Sequence, residues 1–250
     1  LMTGKPCDNT TIINNSIMGS TYQGILVNYG RNATITDNTV IEGNEEGIQI
    51  TGTNPAFISG NLVRSNKMGI TISQTSHSEI IDNTITENPL GGILVQNCDY
   101  VDTVNNTLDN GTGSQIFGIE LNGCNYNIIS SNLILNHSIG LNIYNSDSVI
   151  IYDNYFDNDV NHGSLYSSTN LRWSIPKYEA ANILGGSDQG GNYWNDYRGL
   201  DTDGDWLGDT MIPHGPGDNA PLQYDLISPS ITPVLEDDPT TGDPYTIEAV

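Results

Sequence analysis

The feature that most constrains this chain is an asparagine that returns at nearly fixed intervals. The segments TIINNSI, TITDNTV, FISGNLV, IIDNTIT, DTVNNTL, IISSNLI and IIYDNYF align on Asn15, Asn38, Asn61, Asn83, Asn106, Asn132 and Asn154, with gaps of 23, 23, 22, 23, 26 and 22 residues. A second column follows each asparagine, as glycine and then an aliphatic residue. It runs Gly24-Ile25, Gly47-Ile48, Gly69-Ile70, Gly92-Ile93, Gly118-Ile119 and Gly140-Leu141, and weakens at Gly163-Ser164. Two columns in phase over so many turns mean that each repeat is one structural unit stacked on the next.

The chemistry of the columns specifies the unit. Ile48-Gln49-Ile50 and Ile70-Thr71-Ile72 alternate apolar and polar residues, the period of a strand with one buried face. Such short strands cannot stand as hairpins, so each must pair with its equivalent one coil away, roughly 4.8 Å distant. Each asparagine then lies over the last, and its amide can hydrogen-bond along the stack while the chain turns a corner. The glycine is expected to supply a backbone conformation that a side chain would block. Ile25, Ile48, Ile70, Ile93, Ile119 and Leu141 should form one buried stack, because a one-residue slip would turn alternate members outward. Asp37, Asp82 and Asp153 each directly precede a column asparagine, which assigns them to corners rather than catalysis. The fold predicted is all-β, a right-handed parallel β-helix of about seven to eight coils over residues 1–163. The 36% hydrophobic content suits its narrow core.

Cys98 and Cys124 each fall eight residues before a column asparagine, so they should be stacked neighbours. They form either a disulfide or a pair of buried thiols, and the spacing allows both. N-x-[ST] sequons at Asn9, Asn14, Asn32, Asn105, Asn110 and Asn136 are candidate glycosylation sites, consistent with a secreted chain. The stretch Asn110-Gly111-Thr112-Gly113 lengthens one coil and should bulge as a loop, where solenoids carry specificity.

After Asn154 the repeat fades into a segment, 164–227, expected to cap the last coil, with the asparagine column returning at Asn192. Within it, Asp201, Asp203, Asp205 and Asp209 occupy relative positions 1, 3, 5 and 9 of a tight acidic loop. The backbone carbonyl of Leu207 fits the seventh position, and Asp218 is a further candidate ligand. Hard oxygen donors at this spacing favour Ca²⁺ over transition metals. Trp206 stands where an EF-hand loop has glycine, and Ile212 where it has glutamate, so the loop is not an EF-hand.

The run Gly191-Asn192-Tyr193-Trp194-Asn195-Asp196-Tyr197, the acidic loop, Gly208-Asp209, and Asp218-Asn219-Ala220-Pro221-Leu222 together resemble the ending of NosD-like right-handed β-helix domains. With the coils, the resemblance spans residues 8–227. It implies a cell-surface protein of the kind common in archaea, methanogens especially. The copper role behind the family name is not expected to transfer, since no Met- or His-rich cluster is present. Residues 228–250 resemble a linker and the first strand of an immunoglobulin-like domain.

A net charge of -23, from 30 acidic and 7 basic residues, discounts nucleic acid and anionic membranes as partners. No run approaches the length of a membrane span. The expected location is extracellular, at the cell surface. Three functions stay open: a calcium-stabilised surface-layer or filament scaffold, a polysaccharide-active lyase, hydrolase or disaggregatase, and a carbohydrate-binding or adhesion module. The scaffold is preferred because the coils carry few bases: Arg31, Arg64 and Lys67 lie in coils two and three, and Arg172, Lys177 and Arg198 near the cap. His77 and His137 are read as structural turn residues. Leu1-Met2-Thr3 aligns with the Gly-Ile column of a preceding coil, which leaves an open edge and suggests head-to-tail self-assembly, with cell-envelope polysaccharide as a second partner.

Overall fold

A computed structural model describes residues 7–43, 45–109 and 117–224. The Asn110 loop, Leu1-Met2-Thr3 and the C-terminal linker with its expected immunoglobulin-like start lie outside the described residues. Those described form a parallel β-helix with no helical segment. Three sheets of seven, eight and seven strands run along its length. The first extends from Thr11–Ile13 to Ile150–Tyr152, the second from Ser16–Met18 to Tyr193–Trp194, and the third from Ile25–Asn28 to Val160–His162. Every pairing in these sheets is parallel and in register, as in Ile25↔Ile48, Ile48↔Ile70, Ile70↔Ile93, Ile93↔Ile119 and Ile119↔Leu141.

That aliphatic stack is buried throughout, from 3% exposure at Ile25 to 0% at the other five positions. Each side chain contributes about 1.5–3 kcal/mol by leaving water. The preceding glycines serve a purpose different from the one expected. Gly47, Gly69, Gly92, Gly118 and Gly140 do not adopt positive φ. What excludes a side chain there is space: a Cβ on Gly69 would lie 2.4 Å from the Gly92 carbonyl oxygen, and one on Gly92 would lie 2.5 Å from that of Gly118. The backbones of neighbouring coils touch at this column.

The corner between the first and second sheets carries the asparagine ladder. Each Nδ2 donates to the next Oδ1, at 3.0 Å from Asn15 to Asn38 and 2.9 Å from Asn132 to Asn154. The same Oδ1 accepts the backbone N–H of the preceding asparagine, at 3.0 Å for Asn83 to Asn106. Past Asn154 the ladder skips 38 residues and resumes at Asn192, with Nδ2 donating at 2.9 Å. Of the residues just before Asn15 through Asn154, Asn14, Asp37, Asp82, Asn105, Ser131 and Asp153 have φ between 54° and 58°, and Gly60 has φ 65°. Asn and Asp tolerate this left-handed conformation better than most residues, which explains the recurring acids as corner residues.

The far end is closed by aromatic rings. Trp194 stacks on Phe156 with centroids 4.9 Å apart, Trp173 packs on Trp194 at 5.7 Å, and both tryptophans are buried. The apolar column thus ends under a lid from the same chain.

Candidate functional site

The acidic loop is held by its own hydrogen bonds. Asp201 Oδ1 accepts from the backbone N–H of Asp203 and Gly204, at 3.2 and 2.8 Å, and its Oδ2 accepts from Trp206 N–H at 2.9 Å. Trp206 takes the left-handed conformation, φ 69°, that the turn demands at this position. Asp209 accepts from the N–H and hydroxyl of Thr202, and these bonds lower its pKa. Desolvation first, then the charges of Asp205 and Asp209, raise the pKa of Asp203. Asp201, Asp203 and Asp209 each bring one carboxylate oxygen to within 4.8 Å of the others.

Two expected carboxylate ligands, Asp205 and Asp218, stand apart from this group. Asp205 turns one oxygen to Lys177 as an ion pair and the other to the Leu207 N–H at 2.8 Å. The Leu207 side chain is buried in the cap. Asp218 is fully buried with its carboxylate already engaged: Oδ2 accepts from Asn192 N–H at 2.7 Å and Trp194 Nε1 at 2.9 Å, and Oδ1 from Ala220 N–H at 3.0 Å. Burial raises its pKa to about 6. The assignment of Asp218 as a loop ligand is therefore corrected: it closes the asparagine ladder.

Cys98 and Cys124 are free, buried thiols, the second of the two alternatives. They belong to another corner ladder that the sequence reading missed. Gly30 N–H donates to Thr53 Oγ1, Thr53 N–H to Thr75 Oγ1, Thr75 N–H to Cys98 Sγ at 3.2 Å, Cys124 N–H to Ser146 Oγ, and Ser146 N–H to Ser168 Oγ. The signal was there as small hydroxyl or thiol residues in one column. Burial pushes the Cys98 thiol up to about 12. Cys7 is exposed.

The sequons Asn9, Asn14, Asn32, Asn105 and Asn136 are exposed corner residues with φ of 53° to 59°. Several use their amides along the corner, as Asn32 does to Asn9 at 3.0 Å and Asn136 to Asp109 at 2.8 Å. Their frequency follows from the turn, because each precedes a strand that favours Ser or Thr. Asn110 lies outside the described residues.

Two clefts adjoin the cap. One, of about 390 Å³, is lined by His162, His214, Asp196, Arg198, Asn161 and Trp194 among others. His214 Nε2 lies 3.2 Å from Asp196 Oδ1, while burial lowers the pKa of His162. The other, of about 590 Å³, runs between the outer face of the second sheet and the loop 181–189. Neither was foreseen, since their residues come from segments far apart in sequence.

The sequence profile described as "Periplasmic copper-binding protein (NosD)" matches residues 1–88 and 45–199. The chain belongs to the NosD family. No curated protein matches it significantly. Among solved structures it is similar to a double mutant of the periplasmic alginate epimerase AlgG, at 16% identity and TM-score 0.58, over 66% of this chain and 44% of that one. A second structure of AlgG gives 18% identity and TM-score 0.51, over 65% and 50%. The match thus spans half or less of those chains, and the likeness is one of fold. For copper, the nitrogen and sulfur donors among the described residues do not converge as a group of three: His162 and His214 share the smaller cleft but each packs against Trp194, with ring centroids 6.3 and 5.6 Å from it. His77 stacks on Tyr100 and His137 is buried in a corner, bonded to Asn158. Among the described residues only Asp201, Asp203 and Asp209 converge as a metal-holding group, and all-oxygen donors suit a hard cation.

Proposed function

We propose that this NosD-family protein acts outside the cytoplasm as a rigid β-helical scaffold of the cell envelope, of the surface-layer or filament kind, with Ca²⁺ holding its cap. The observation that carries the reading is the hydrogen-bonded column from Asn15 through Asn192 to Asp218, which ties every coil to the cap. The family's periplasmic description and the periplasmic AlgG neighbours support an extracytoplasmic location. The convergence of three carboxylates supports Ca²⁺, with Asp201, Asp203 and Asp209 as ligands and Asp205 recruited if the cation displaces Lys177. Calcium would neutralise charges that otherwise repel across an exposed turn. Head-to-tail stacking of coils and an archaeal surface setting belong to the same proposal.

The test is thermal unfolding with calcium and after chelation. Chelation should lower the Tm and expose the segment 199–210 to protease before the coils open. An unchanged Tm and digestion pattern, with no calcium bound in a direct titration, would refute the calcium-held cap. A second reading, a polysaccharide-modifying enzyme, is favoured by the cleft holding His162, His214, Asp196 and Arg198. It requires turnover of an envelope polysaccharide that Asp196→Asn abolishes.

A further inference from the structure

The larger cleft has a built form. Its floor is one outward-facing residue from each of three successive coils, Thr107, Leu133 and Tyr155, in register on the second sheet. At ordinary strand spacing this floor extends roughly 10 Å along the axis. One wall is the loop 181–189, fixed rather than loose. Ile183 N–H donates to Asp153 Oδ1 at 2.8 Å, and Gln189 Nε2 and Ser131 Oγ donate to Asp153 Oδ2 at 3.2 and 2.7 Å. Inside the loop, Asn182 Oδ1 accepts from Leu184 and Gly186 N–H at 3.0 and 2.9 Å. The opposite end is closed by Tyr224, whose ring packs edgewise on Tyr193, itself stacked 4.2 Å from Tyr155. Tyr224 is 44% exposed.

The lining selects a ligand class. It contains no Lys or Arg, and its acid, Asp153, is already satisfied by three donors. With a net charge of -23, the protein repels a polyanion, and within this lining a polyanion finds no cation to pair with; Arg64, two residues from Leu62 on the outer face of the same sheet, lies beyond it. What remains is the Thr107 hydroxyl, the Asn105 side-chain oxygen (its Nδ2 donates to Asp82 at 2.6 Å), tyrosine rings and hydroxyls, and aliphatic surface from Leu133 and Ile183. Alternating apolar patches and uncharged hydrogen-bonding groups match the faces and hydroxyls of sugar rings. The volume falls within the range of small-ligand sites, and the floor opens onto Thr84, Leu62 and Thr39 of earlier coils, so a chain can continue along it.

We propose that this groove binds a neutral glycan chain lying along the axis of the β-helix, and that it discriminates against uronate polymers. The groove is preformed, so little affinity is lost in ordering it. Calorimetric titration of the full chain with neutral gluco-, manno-, xylo- and galacto-hexasaccharides, beside an alginate hexasaccharide, tests this. At least one neutral hexasaccharide should bind saturably, more tightly than its disaccharide, with no heat from alginate. Thr107→Trp, which fills the floor without removing an internal hydrogen bond, should weaken binding by about tenfold or more, equivalent to about 1.4 kcal/mol. Tyr224→Ala provides an independent readout should the tryptophan variant fold poorly. Tyr166→Ala, at a 71% exposed residue outside the groove lining, should change nothing. Absence of binding by every neutral probe, preference for alginate, or indifference to both groove variants overturns the proposal. None of these outcomes bears on the calcium-held scaffold, whose readout is the stability of the cap.

Discussion

Replacing Asn106 by alanine tests whether the asparagine ladder holds the coils together or merely decorates a corner. Asn106 is 1% exposed, and its side chain takes part in five hydrogen bonds. Its Nδ2 donates to Ile80 O at 2.8 Å, Val104 O at 3.1 Å and Asn132 Oδ1 at 3.0 Å, and its Oδ1 accepts from Asn83 N and Nδ2, both at 3.0 Å. At about 1 kcal/mol net per bond, with a larger cost for a donor left unpaired in a dry corner, the loss is about 4–6 kcal/mol. Asn15→Ala at the exposed first rung is the control. Only the Ile13 O and Asn38 Oδ1 bonds of its side chain are lost there, both 3.0 Å, and water can replace them, so the cost is about 1 kcal/mol or less. Asn106→Asp keeps the shape but turns an anion toward three acceptors, and should be at least as harmful at neutral pH. A repeat array need not unfold in one step, so amide exchange is the better assay than a single melting curve. Protection should collapse at the Asn83 N–H and in the coils on either side, while the first coil is unaffected. Alanine variants at Asn106 and Asn15 that differ by less than about 0.5 kcal/mol would show that burial of the aliphatic stack, not the ladder, sets coil stability.

Two further outcomes follow from the other corners. One thiol per chain, Cys7, should react promptly with a thiol reagent and three after denaturation, and Cys98→Thr should be near neutral because Thr53 and Thr75 already fill that column. Reaction of all three in the native state would disprove the burial. His137 is buried with its pKa lowered to about 4, chiefly by desolvation, so its contribution to stability is complete above about 6.5 and lost as pH falls through about 4. The full loss is on the order of 3 kcal/mol. His137→Asn should flatten that part of the Tm–pH curve, because Asn66 and Asn88 already occupy corner positions of this kind, and an unchanged curve would refute the assignment.

The fold was legible because a solenoid repeats its instructions. Asn15 through Asn154 and Ile25 through Leu141 each state one local rule, and identical stacking makes the local rule global. Its reasons were less legible. The glycine column looked like a demand for unusual φ, but the demand is for room against the next coil's carbonyl, which no single repeat reveals. The site was legible only where its residues are contiguous. Asp201, Asp203 and Asp209 meet through one tight turn, whereas the clefts assemble Asn105 with Tyr224 and His162 with His214, pairs that only the folded cap brings together.

Asp218 shows most clearly how a residue's meaning depends on that assembly. Read along the chain, it is one more acid beyond an acid-rich loop, and a ligand role is natural. Read along the stack, it completes a directional array. Every rung sends two donors, the backbone N–H and Nδ2, toward the following coil, and an asparagine can receive them only by offering its own donors onward. An array of asparagines alone therefore has no end: its last member always leaves an N–H pointing into the cap. A buried group that only accepts is what can stop it, and among side chains an ionised carboxylate has that property. Asp218 takes both donors of Asn192, at 2.7 and 3.3 Å, and adds the Trp194 indole N–H. The ionised form is costly there, as its pKa of about 6 records, yet the carboxylate joins the last rung to the tryptophan that closes the core.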